Sequence, residues 1–92
     1  MQWKFLSFIR RFFYGPLVYK NIIYVHHARR RMKWRRISEN EVMQTLSRPD
    51  KTVPLGQDKY HAYKIMGSRN IRVTYKRFAE DITVLTVVDK SD

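Results

Sequence analysis

Residues 71–89, IRVTYKRFAEDITVLTVVD, decide the fold. Ile71, Val73 and Tyr75 alternate with Arg72, Thr74 and Lys76, the period of a strand with one buried face and one wet, basic face. Phe78-Ala79-Glu80-Asp81 then reads as a turn. Ile82–Asp89 is apolar on both faces, which suits an interior strand. Upstream, Lys59–Met66 is a third strand, joined through the turn Gly67-Ser68-Arg69-Asn70. The last third of the chain is therefore all β.

Working towards the N-terminus, Lys51–Asp58 reads as a loop holding a short edge strand at Thr52–Leu55. Before it, Ser38 has Glu41 three places on, a capping box, and the helix it opens runs through Val42 and Leu46 to the break at Arg48-Pro49-Asp50. His27–Arg35 is predicted as a shorter helix, with Ala28 and Met32 as its apolar stripe. Residues 21–25, NIIYV, have the β-branched and aromatic content of a strand. The order is helix, strand, helix, helix, three strands, an α+β domain spanning 21–92 with an N-terminal extension at 1–16.

That extension contains QWKFLSFIRRFFY, an amphipathic helix with a wide apolar face, stopped at Gly15-Pro16. It is too short and too charged for a bilayer span, and Arg10-Arg11 interrupt a signal-type apolar core. The favoured reading is cover for the sheet or a homodimer contact. Peripheral attachment to an anionic membrane is the competing one.

The chain has 92 residues, no cysteine and a net charge of +11. Disulfides, thiolate metal sites and cysteine nucleophiles are excluded. The charge points to a polyanionic or acidic partner. It is uneven: residues 1–48 carry eleven Lys/Arg and two acids, whereas residues 49–92 carry eight and six. The densest tract is His26–Arg36, HHARRRMKWRR. Arg29, Arg30, Arg31, Lys33, Arg35 and Arg36 are its candidate phosphate ligands, joined by Lys64 and Arg72 from the sheet. Arg29, Arg30, Lys33 and Arg36 are expected to face outward. Trp34 among them could stack on a base, but packing on the N-terminal helix or on a partner is the expectation.

Adjacent His26 and His27 diverge and make a poor metal pair, so neither a metal nor any other cofactor is expected. His27 is read as structural. His61 titrates near neutrality and is a candidate acid or base. No Gly-rich phosphate loop or nucleophile elbow occurs.

The pattern His27-Ala28-x-x-Arg31-Met32-x-x-Arg35-x-Ile37, Glu41-Val42, Pro49-Asp50, Ile71-Arg72-Val73-x-Tyr75 and Ile82-x-Val84-x-Thr86-Val87 resembles a family of small bacterial and archaeal domains without an assigned function. That family is similar to the RelE and BrnT toxins, and the resemblance covers about residues 22–89. It implies a RelE-like fold, a twisted antiparallel sheet with two helices on one face. It also implies a cytoplasmic toxin-type domain that meets RNA or the ribosome and is held by an acidic antitoxin. RelE-like enzymes cut messenger RNA without metal. The corresponding open-face candidates are Lys64, Arg72, Thr74 and Lys76, with His61 and Tyr63 on the preceding strand, where a period of two puts them on the face opposite Lys64. His61, Tyr63, Arg72 and Lys76 are the candidate catalytic set. The half-acidic tail, Asp89-Lys90-Ser91-Asp92, counts against catalysis and leaves RNA contact as the firmer expectation. The alternative is a non-catalytic basic module bound to an acidic protein or an anionic membrane.

Overall fold

The computed structural model describes residues 21–91. Strand β1 spans Asn21–Tyr24, helix α1 His26–Arg35 and helix α2 Glu39–Ser47. Four strands follow: β2 Lys51–Gly56, β3 Lys59–Met66, β4 Arg69–Phe78 and β5 Asp81–Asp89. They form one five-stranded sheet in the order β1-β5-β4-β3-β2. The amphipathic helix and the 1–16 extension expected from sequence lie outside the described residues.

The antiparallel sheet expected from sequence is corrected to a mixed one. β2 to β5 form an antiparallel meander, but β1 joins β5 in parallel, with Ile22 opposite Ile82 and Tyr24 opposite Val84. Alternating hydrophobicity cannot distinguish the two directions, because both present the same period of two. Direction is settled by α1 and α2, which carry the chain from one edge of the sheet to the other. The edge segment Thr52–Leu55 is a full strand, β2, closed to β3 by Gln57 and Asp58, both at positive φ (55° and 62°). Two such central residues are the mark of a type I′ hairpin turn.

α2 is opened by the expected capping box. Ser38 Oγ accepts from the Glu41 N–H at 3.1 Å, and Glu41 Oε1 accepts from the Ser38 N–H at 2.9 Å. α1 ends differently: Arg36 takes a left-handed conformation, φ 58°, and the Ile37 N–H returns to the Met32 carbonyl at 2.8 Å. That closure usually employs glycine.

Both helices pack on one face. Ala28, Met32, Ile37, Val42 and Leu46 meet Ala62, Ile71, Val73, Tyr75, Ile82, Val84 and Val87 in a single core. Each large aliphatic side chain buried this way contributes roughly 1.5–3 kcal/mol. Tyr60 stacks on Tyr75, centroids 5.3 Å apart, and burial pushes the Tyr75 hydroxyl up to about 12. The interior position of β5 and the inward stripe of β4 match the sequence reading. Among the described residues no helix is long and apolar enough to cross a membrane.

Candidate nucleic-acid interface

The other face of the sheet carries no described helix, and strand register fixes what stands on it. Directly paired residues share a face. Lys51, Tyr63, Arg72 and Val88 form one row across β2, β3, β4 and β5. Val53, His61, Thr74 and Thr86 form the next. Lys59, Lys76 and Thr83 form a third, roughly 7 Å further along the strands. On the opposite side of the Arg72 row, the Lys90 N–H bonds to the Asn70 carbonyl at 2.7 Å, which carries Lys90 onto this face by alternation from Val88.

His61 is the centre of the group. Its Nδ1 lies 2.9 Å from Thr74 Oγ1, and its ring meets Tyr63 edge-on at 6.0 Å. Partial burial, then the Arg72 and Lys90 charges, hold the His61 imidazole below its usual 6.5. All three causes disfavour the imidazolium, so neutral imidazole is the resting form at pH 7. The tautomer with Nδ1–H donating to Thr74 leaves the Nε2 lone pair outward.

Around it, Lys51 Nζ sits 4.7 Å from the Tyr63 ring centroid, a cation–π contact at the sheet edge. Arg72 Nε is out of water and has no hydrogen-bond partner among the described residues. An unsatisfied buried donor costs about 1–3 kcal/mol. Thr74 is buried rather than wet, because His61 covers it.

Of the candidate catalytic residues, His61, Tyr63 and Arg72 come together, and Lys76 stands one same-face row away. Lys64 is a correction. It pairs with buried Ile71, which turns it to the helix side. There it donates to the Arg48 carbonyl at the end of α2, at 2.8 Å, and lies 3.8 Å from Asp50. It closes α2 instead of standing on the open face. Two cations were missed. Lys90 was legible by counting on from Val88. Lys51 needed the register of β2, which no pattern in the sequence supplies.

The α1 cations form a separate surface, since α1 covers the opposite face of the sheet. Arg29, Arg30, Lys33 and Arg36 are exposed, as expected. Arg29 is nevertheless engaged: it pairs with Glu39 and lies 4.3 Å over the Tyr24 ring. The surplus narrows to Arg30, Lys33 and Arg36. Arg31 and Arg35 flank Trp34, their guanidinium carbons 5.5 and 5.4 Å from the indole. Trp34 itself is 71% exposed. Its expected packing on residues 2–14 falls outside the described residues.

These features define a small α+β domain with one helix-covered face and one face that carries no described helix and gathers His61, Tyr63, Arg72 and four lysines, Lys51, Lys59, Lys76 and Lys90. Residues 24–89 match the family model described as a domain of unknown function, DUF4258, and the chain belongs to that family. No curated protein and no solved structure matches it.

Proposed function

We propose that this chain is a toxin-type, RelE-like RNA-binding domain whose open sheet face supports metal-independent cleavage. One observation carries the reading: His61, held neutral and oriented by Thr74, stands beside Arg72 on a cationic face that no helix covers among the described residues. Metal-free cleavage needs a base at the 2′-hydroxyl, a cation on the phosphate and an acid for the leaving oxygen. In this reading His61 Nε2 takes the 2′-hydroxyl proton and the 2′-oxygen attacks phosphorus. The bond to the 5′-oxygen breaks, leaving a 2′,3′-cyclic phosphate, and Tyr63 protonates the departing oxygen. Arg72 carries the charge that develops on phosphate, with Lys51, Lys76 and Lys90 holding the flanking backbone.

The test is incubation of the full chain with labelled single-stranded RNA in EDTA. Cyclic-phosphate ends in the wild type and their loss in His61→Asn support the reading. Binding without such ends reduces it to RNA recognition alone.

A non-catalytic module bound to an acidic partner, such as an antitoxin, is the second reading. The position of Arg30, Lys33 and Arg36 on the side away from the open face favours it. Tight binding of polyglutamate with no binding of RNA would select it.

A further inference from the structure

We propose that the outer face of α1 is a nucleotide-stacking subsite for single-stranded RNA, separate from the open sheet face. His27, Arg30, Arg31 and Trp34 recur at i, i+3, i+4 and i+7, which places them on one stripe of the helix. They line a solvent-open notch of about 250 Å³. That is smaller than an enclosing ligand pocket. It suits one nucleotide unit of a longer strand rather than a free ligand.

The chemistry of the notch has two parts. Trp34, a residue 71% exposed, offers its indole to solvent, braced by Arg31 and Arg35. A base can stack on that face whatever its identity, as in sequence-tolerant single-strand binders. Arg30 makes no ion pair or hydrogen bond among the described residues, and with Arg31 it offers a guanidinium fork to the adjoining phosphate. α1 has no acid in its first turn, and its N-cap, Val25, brings no capping side chain, so the helix dipole adds positive potential at His27. An acidic protein would answer the charges but leave the indole without a partner. A nucleotide answers both.

The subsite rests on the RNA-binding reading and differs from it in location. A strand touching both surfaces must pass around the sheet, because α1 and His61 lie on opposite faces. The test compares the full-length wild type with Trp34→Ala, Trp34→Phe and Arg30→Gln. The probes are a single-stranded oligoribonucleotide, the same length of abasic ribose-phosphate, and duplex RNA, each over a salt series. For the single strand, Trp34→Ala should weaken affinity about tenfold with an unchanged salt slope. Trp34→Phe should restore most of the loss. Arg30→Gln should lower the slope by about one. The abasic strand and the duplex should not distinguish Trp34→Ala from the wild type. Equal affinity of the wild type and Trp34→Ala for the single strand overturns the subsite and leaves the open-face reading standing. Failure of the wild type to bind any RNA overturns both. Because Trp34 is exposed, thermal unfolding of each variant should match the wild type, which separates a lost contact from a lost fold.

Discussion

Thr74 Oγ1 stands 2.9 Å from His61 Nδ1, directly across the β3–β4 ladder, so one hydrogen bond orients the only histidine on the open face among the described residues. NMR titration should place the His61 imidazole below its usual 6.5. Neutralising Arg72 or Lys90 should raise it, since both charges oppose the imidazolium. The unfolded chain therefore takes up the proton first. The stabilisation is complete above pH 6.5 and is lost as pH falls through the folded value. Urea unfolding between pH 7.5 and 5 should show this loss in the wild type and less of it in His61→Gln.

Arg72→Gln should cost function without costing stability. Its Nε is already buried and unpaired, so removing it forfeits no hydrogen bond at that atom. The unfolding free energy of the variant should equal or exceed that of the wild type, because the unpaired donor, worth about 1–3 kcal/mol, is removed. RNA affinity should fall, with the salt slope reduced by about one. Unchanged affinity would remove Arg72 from the interface.

Arg36 separates charge from backbone geometry. It closes α1 at φ 58°, a conformation that costs a non-glycine residue roughly 1–2 kcal/mol. Arg36→Gly should raise stability by about 0.5–1 kcal/mol, part of the gain being offset by the entropy of the unfolded chain. The same change removes an exposed cation, so polyanion affinity should fall while the melting temperature rises. A parallel fall in both would contradict this division.

Leu46 is fully buried where α2 meets the sheet. Leu46→Ala should cost about 2–5 kcal/mol in equilibrium unfolding. A cost below about 1 kcal/mol would mean that α2 does not pack as described.

Much of this architecture is legible in local patterns. Ser38 and Glu41 announce α2, Ala28 and Met32 its neighbour's inner face, and the Ile71-Val73-Tyr75 alternation the buried side of β4. Pairing is not local. The parallel match of Ile22 with Ile82 depends on how α1 and α2 carry the chain across the sheet. The position of Lys64 shows the same limit. Its charge suggested the open face, but its register with Ile71 assigns it to the end of α2. The candidate site was half legible for that reason. His61, Tyr63 and Arg72 were named, but only cross-strand register brings them together with Lys51.

The most direct measurement is the affinity of the full chain for single-stranded RNA against salt, in the wild type and in a Lys51→Gln/Arg72→Gln/Lys90→Gln variant. The expected result is a steep linear fall of log affinity with log salt for the wild type, and a slope about three smaller for the variant. A flat wild-type response, or identical slopes for the two proteins, would contradict an RNA interface on the open face.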